Sequence, residues 1–386
     1  MMWEKVKLGD VCVKIGSGAT PKGGSTVYVD DGTTFIRSQN VYNLFFDYNG
    51  LVFINDEAAQ KLNGVTIKEN DVLLNITGDS VARTCLVPSE VLPARVNQHV
   101  AIVRPDGDVL NPIYLNYYLA SPFMQSFMLG LAVGKGASRN AMTKDMIAGF
   151  EVPCPRMEIQ KKIVAILKPY DNLIENNKKQ IKLLEDAAQR LYKEWFVDFR
   201  FPGLEKVTIV DGVPEGWKKA NLPEIAPIVT GKKDANFGTV DGKYLFFTCA
   251  QEPIKAPSYS FDCDAVILAG NGDFNVKLYR GQFEAYQRTY VFSPYTSEYL
   301  YLLYYAVKEN MRQLFQGASG STIKFLTKRM LEEILVFVPD EVILKQFNQN
   351  CELFQKKIEA LKAQIALAQE ARDRLLPKLM NGEIEV

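Results

Sequence analysis

GKGASRNAMTKDMIAGFEVPCP at residues 134–155 is answered by GASGSTIKFLTKRMLEEILVFVP at residues 317–339. Gly136 falls on Gly320, Thr143 and Lys144 on Thr327 and Lys328, Met146 on Met330 and Pro155 on Pro339, all at an offset of 184. The match extends outward. Trp3, Leu8, Val11 and Ile15 fall on Trp217, Leu222, Ile225 and Val229 at an offset of 214. VLLNITGD (72–79) meets VILAGNGD (266–273) at 194, NQHVAIVRP (97–105) meets YQRTYVFSP (286–294) at 189, and Tyr114 with Leu115 meets Tyr299 with Leu300 at 185. The shrinking offset gives the first copy about thirty extra residues, most of them before Val72. Self-similarity at this distance predicts one fold used twice, with edges that agree and interiors that differ.

Each copy mixes short β-like runs with a helix near its end. The runs are TTFIRS, DVLLNI and HVAIVRP in the first copy and YLFFTCA, AVILAG and RTYVFSP in the second. This predicts an α+β class with a mixed or antiparallel sheet. Asn111-Pro112 and Thr296-Ser297 sit at matching helix starts, and Thr143 and Thr327 read as N-caps before the last strand.

After each closing proline the pattern turns helical. Leu167, Ile174, Ile181, Ala188 and Trp195 recur every seven residues, interleaved with Ile163, Tyr170, Leu184 and Leu191. The second copy repeats this with Cys351, Ile358, Ile365 and Leu379, and with Phe347, Phe354, Leu361, Ala368 and Leu375. Two such series describe a coiled-coil seam, with Asn177 and Arg372 as polar, register-setting exceptions. Pro169 is expected to kink or restart the first helix. Each arm of about forty residues would be roughly 60 Å long. Parallel arms would stretch the linker 196–215 almost fully, so antiparallel pairing is expected. The expected layout is a rod with one globular domain at each end.

The totals limit the function. There are 45 basic and 45 acidic side chains, so the chain as a whole is not a polycation and any nucleic-acid contact needs a local basic surface or a basic partner. The start, MMWEKVKLGD, has no apolar signal-peptide core, and the longest apolar run, 299–307, is half a membrane span. Six cysteines without CxxC or framework spacing suit a reducing cytoplasm. A single histidine, His99, stands in an alternating strand pattern and has Arg288 as its counterpart, so no hydrolytic triad or zinc set is spelled out and a strand-face role is expected. NPIY (111–114) departs from the NPPY motif of amino-methyltransferases, and TSEY replaces it in the second copy. GLAVGKG (130–136) has the wrong spacing for a phosphate-binding loop.

Loop chemistry remains. The first copy has GSGATPKGG (16–24), IRSQN (36–40), TGDSVAR (77–83) and GKGASRN (134–140). The second has TGKKDANFG (230–238), TCAQE (248–252), GNGDFNVKLYRG (270–281) and GASGSTIK (317–324). Residues of these types approach phosphates and hydrogen-bond base edges. Taken alone they equally describe solvated turns.

In the order and duplication of its motifs, nearly the whole chain resembles the specificity (S) subunits of type I restriction–modification enzymes. The resemblance is carried by W-x4-L-G-D from Trp3, GSGATPK, NQHVAIVRP, MTKDMIAGFEVPCP, IQKKIVAIL, LYKEWFVDFRFPG with PEGWKKANL, and ARDRLLPKLMNGEI. The second copy departs from it, with VPDEVILKQF in place of the usual Pro-x-x-x-Gln-x-x-Ile and no Gly-Asp after Leu222. The resemblance implies two homologous mixed α/β target recognition domains joined by two long antiparallel coiled-coil helices, a pseudo-twofold internal repeat. The expected boundaries are domain 1 at 1–156, arm 1 at 157–200, the linker with domain 2 at 201–340, and arm 2 at 341–386.

The resemblance further implies a cytoplasmic, non-catalytic subunit in which each domain reads one half of a bipartite site in double-stranded DNA. The arms would set the spacer and dock two methyltransferase (M) subunits, and two restriction (R) subunits would complete the complex, with no membrane involved. This chain would bind no cofactor itself, and S-adenosylmethionine, ATP and magnesium would belong to the partner subunits. An arm of roughly 60 Å is somewhat under two turns of B-DNA at about 34 Å per turn, which implies a fixed, unread spacer. Residues common to both copies, such as Thr143 with Thr327 and Lys144 with Lys328, would be scaffold or phosphate contacts. Readers would lie where the copies differ: Lys22, Arg37, Gln39, Asn40, Arg83 and Arg139, then Lys232, Lys233, Asn236, Gln251, Asn271 and Lys277. Thr20 and Lys324 of the same loops are added as DNA contacts. The rival readings are a coiled-coil protein-interaction adaptor without DNA binding, and an enzyme built on His99 or a cysteine.

Overall fold

A computed structural model describes residues 3–133, 141–272, 274–320 and 324–386. The chain forms two compact units, Met1–Asn177 with Ala363–Val386, and Lys178–Lys362. Each is built on the same antiparallel sheet. In the first unit its strands are β1 (Cys12–Ser17), β2 (Val72–Asn75), β3 (Thr84–Leu86) and β4 (Val100–Pro105), in the spatial order β1-β4-β2-β3. In the second they are β5 (Ile228–Thr230), β6 (Phe261–Ala269), β7 (Val276–Ala285) and β8 (Thr289–Phe292), in the order β5-β8-β6-β7. The inward-facing run Val72, Leu74, Ala101 and Val103 joins the helix Pro112–Ala120 in one core, and Val266, Leu268 and Phe292 do so with Leu300–Gly317 in the other. Burial of each Val, Leu or Phe among these side chains is worth about 2 kcal/mol, which explains why the apolar runs agree between copies whose loops do not.

The ladders correct one sequence equivalence. Val103 pairs with Ile15 and with Val72, while Phe292 pairs with Ile228 and with Val266. The partner of Ile15 in the repeat is therefore Ile228, not Val229. The offset drops by one between Val11 and Ile15, because a period-2 strand tolerates no slip without turning its buried side outward.

A second, parallel pairing also recurs. Ala94, Arg95 and Val96 align with Thr34, Phe35 and Ile36, and Phe283, Glu284 and Ala285 align with Leu245, Phe246 and Phe247. In the second unit β7 is long enough to hold both neighbours, which gives one six-stranded sheet. In the first unit VPSEVLP (87–93) interrupts the equivalent strand, its two prolines donating no ladder hydrogen bonds, and the sheet divides into two four-stranded sheets. The extra residues of the first copy supply the strand Val52–Ile54 and the helix Asp56–Lys61.

The caps follow the sequence in part. The Asn111 side chain accepts from the amides of Ile113 and Tyr114 at 2.9 and 3.1 Å, and that of Thr143 accepts from Met146 at 3.3 Å. Thr296 and Thr327 occupy the N-cap positions without a side-chain bond.

The arms are α1 (Met157–Tyr192) and α2 (Glu341–Met380). Pro169 lies inside α1 without ending it, contrary to a restart, since losing one backbone bond is offset by the buried seam on either side. In the first unit Asp171 of α1 meets Arg372 of α2, while Asn177 meets Gln364, so the helices run antiparallel. In the second unit the end of α1 meets the beginning of α2, with the Tyr192 and Phe347 rings 6.2 Å apart. Leu167, Ala188, Phe347 and Cys351 are fully buried, whereas Leu183, Leu353 and Leu367, off the seam, are each 67% exposed. The predicted polar exceptions bond across the pair: Asn177 Nδ2 donates to Gln364 Oε1 at 3.1 Å, and Arg372 holds Asp171 at 2.7 Å. The stretch 196–215 begins as core, not as slack linker, with the Phe196 and Phe347 rings 4.7 Å apart and those of Phe201 and Trp217 also 4.7 Å apart.

Asp171 also accepts a hydrogen bond from the Tyr117 hydroxyl on the helix Pro112–Ala120, which ties that helix to both arms. Burial first, and Asp171 second, keep the Tyr117 hydroxyl protonated well above the usual phenol range. In the second unit Tyr301 donates to Glu352 of α2 at 2.7 Å, and Arg280 of β7 pairs with the same carboxylate at 3.3 Å. Asp171→Ala should cost about 2 kcal/mol, less than a fully enclosed pair, because Arg372 and Tyr117 lose one shared acceptor. Thermal unfolding of the full chain checks this, with Asp171→Asn recovering part of the loss.

Candidate nucleic-acid interface

The candidate loops gather at one end of each antiparallel sheet. In the first unit these are the turn after β1, the β2–β3 hairpin, the approach to β4, and residues 37–43. A concave patch there is lined by Gln39, Tyr42, Thr77, Gly78, Arg83 and His99, with Asp79 and Ser80 on the hairpin turn. The Arg83 guanidinium stacks 4.5 Å from the centre of the Tyr42 ring. The Nδ1 atom of His99 lies 2.7 Å from Thr77 Oγ1, which fixes the ring. Donors, acceptors and an aromatic face thus sit together beside one acidic residue. This suits hydrogen bonding to base edges more than gripping of phosphates.

Of the predicted residues, Gln39 and Arg83 line this patch. Thr20 and Lys22 are exposed on the turn after β1. Arg37 donates to the Gly50 carbonyl at 2.6 Å and so secures the neighbouring loop. Asn40 is a correction. It is fully buried, donates to the carbonyls of Asp47 and Asn49 at 2.9 and 3.2 Å, and accepts from the Arg37 amide at 3.0 Å. Its amide is committed to loop shape. Arg139 lies outside the described residues.

The second unit assembles equivalent loops by different bonds. Lys277 Nζ donates to the Ala250 carbonyl at 2.8 Å, Gly272 N to the Lys324 carbonyl at 3.2 Å, and Gln287 N to the Lys233 carbonyl at 2.9 Å. These bonds bring together the loops that carry Lys233, Gln251, Asn271, Lys277 and Lys324. Lys233 and Lys324 lie over the rings of Phe237 and Phe315 at 4.5 and 4.1 Å. Lys232 and Asn236 are exposed beside them.

Sequence reasoning missed the supports. Asn75 Nδ2 donates to the Ser38 carbonyl at 2.9 Å, and Asn275 Nδ2 donates to the Cys249 carbonyl at 3.0 Å. The parallel pairing makes Ser38 and Cys249 equivalent. The same carbonyl is therefore held in one unit by an amide at the end of β2 and in the other by an amide just ahead of β7. The polar Asn75 within the apolar run VLLNI was the available signal.

The family model described as Type I restriction modification DNA specificity domain matches residues 2–186 and 214–363. The chain belongs to this family. Two specificity domains in one chain, on the duplicated scaffold above, make it a DNA specificity subunit with two target recognition domains. The type I restriction enzyme EcoDI specificity subunit of Escherichia coli is 36% identical over 178 residues, covering 45% of this chain and 39% of that relative. The MjaIX specificity subunit of Methanocaldococcus jannaschii is 23% identical over 419 residues, covering 100% of this chain and 94% of that one. The crystal structure of a type I restriction–modification S subunit from M. genitalium shares the fold, with a TM-score of 0.56 at 15% identity over 98% of this specificity subunit and 96% of that chain. Among the described residues no helix is long and apolar enough to cross a membrane.

Proposed function

We propose that this specificity subunit reads a bipartite site in double-stranded DNA, one half through each unit, and carries no catalytic step itself. The carrying observation is that the two faces share strand order and backbone bonds while their side chains differ. A duplicated frame with unlike readers is what a target with two unlike halves requires. Methyl transfer and cleavage then belong to methyltransferase and restriction partners, which would hold S-adenosylmethionine, ATP and magnesium. The arms would set the unread spacer and offer the surface on which two methyltransferase subunits dock, in the cytoplasm. Balanced charge fits a reader whose partners share the DNA grip.

The test is to map modified adenines across the host genome with the gene present and deleted. Loss of one split motif on deletion supports the reading, and an unchanged methylome together with no salt-dependent DNA binding, even with the methyltransferase present, favours the adaptor. Within the first face, Gln39→Ala and Arg83→Ala should each weaken recognition by about 1–3 kcal/mol in one half-site only, read as relaxed bases in that half of the motif. Equal loss in both halves would contradict the assignment of one unit to one half.

A further inference from the structure

We infer that the position just ahead of β4 and β8, His99 in one unit and Arg288 in the other, is the paired specificity-determining position of the two faces. Each residue would read the major-groove edge of one base pair in its own half-site. This rests on the DNA-reading function proposed above.

The two residues occupy one place in the repeated frame. Ile76 N donates to the His99 carbonyl at 2.9 Å, and Gly270 N donates to the Arg288 carbonyl at 2.9 Å. The next residues, Thr77 and Asn271, bridge to Ala141 and Phe325, which are themselves equivalent in the repeat. Gly18 N donates to the Val100 carbonyl at 2.9 Å, and Gly231 N to the Thr289 carbonyl at 3.1 Å, so the neighbouring turn matches too. The backbone around this position is therefore the same, and only the side chain changes.

Both side chains suit the role. His99 lines the concave patch with Gln39 and Arg83, and Thr77 Oγ1 at Nδ1 fixes the ring, so that Nε2 is the nitrogen left to meet a ligand. A pinned imidazole loses little freedom on binding and offers one directional hydrogen bond. Arg288 is exposed, and its guanidinium fork matches the paired acceptors O6 and N7 of guanine. The second half-site is thus expected to contain a guanine read by Arg288, and the first a base held by a single bond to His99. Thr77 is a positioning residue for His99. The strand-face reading of His99, drawn from its alternating sequence context, misses that the strand begins at Val100 and that His99 belongs to the loop.

The test uses the full complex in cells, with His99→Arg, Arg288→His and Thr77→Val mapped by adenine methylation. Methylation of the original motif should fall at least tenfold in His99→Arg, with altered preference at one base of the first half and the second half intact. Arg288→His should show the mirror image, and Thr77→Val should relax the His99 base without moving the rest. If His99→Arg does not fold, as judged by thermal unfolding, His99→Gln carries the same expectation. Variants that fold and methylate the unchanged motif at an unchanged rate overturn the inference. A wild-type gene whose deletion alters no motif instead overturns the underlying function, so the two failures are distinguishable.

Discussion

Alanine at Gly18 or Gly231 is expected to cost about 3 kcal/mol or more and to erase recognition of one half-site while leaving the other. A Cβ on Gly18 would stand 2.1 Å from the Val96 carbonyl oxygen and 2.3 Å from that of Asn97. On Gly231 it would stand 2.0 Å from the Ala285 oxygen and 2.5 Å from that of Tyr286. The obstacle in each case is backbone, which cannot rotate away as a side-chain tip can. The cost is steric. The chain must either break the parallel pairing that ends at Val96 and Ala285, or push away the turn that leads to His99 and Arg288. Gly16→Ala is the control, since nothing lies within 4 Å of its added methyl. Thermal unfolding and motif mapping check the pair. A Gly18→Ala chain as stable as its parent, with both halves of the motif intact, would contradict the close packing described here.

Asp71→Ala should destabilise the first unit by about 4 kcal/mol, the range for breaking a buried, doubly hydrogen-bonded ion pair. Asp71 is fully buried immediately before β2, and Arg104 grips it with two nitrogens at 2.6 and 2.8 Å. Its Oδ2 also accepts from the Lys68 amide at 2.7 Å. Removing the carboxylate leaves Arg104 enclosed and close to Lys14, whose pKa is already lowered by burial and then by Arg104. Asp71→Asn keeps the shape and one amide bond, so it should lose roughly half as much. The second unit has Ala265 and Ser293 at the matching places, so its unfolding should be unaffected. A single shared loss across both units in calorimetry would argue against two separable bodies.

Both predictions turn on features whose legibility in the sequence differs. The duplication was readable from MTKDM and FLTKRM, and the arms from a seven-residue rhythm, because helical and strand periodicities are local consequences of which side is buried. Asn177 and Arg372 stood out for the same reason, as polar residues on an apolar seam, and the structure pairs both across it. Trp217 was visible as a motif, but its packing on Phe201 and the closing of an aromatic core by 196–217 were not.

What the sequence by itself determined is the repeat, the fold class, the heptad arms and the loops that carry the differences. Which loop residues face outward was decided only by tertiary structure. Asn40 and Gln39 are neighbours of similar chemistry, yet Asn40 is enclosed by carbonyls seven and nine residues away while Gln39 lines the patch. His99 reads as a strand residue until Thr77, 22 residues earlier, is seen to pin its ring. The one-residue correction at Ile15 likewise came from the ladder to Val103. Hydrogen bonds that close only when the chain folds back on itself fix the direction of these loop side chains, and no helical or strand periodicity encodes such a bond.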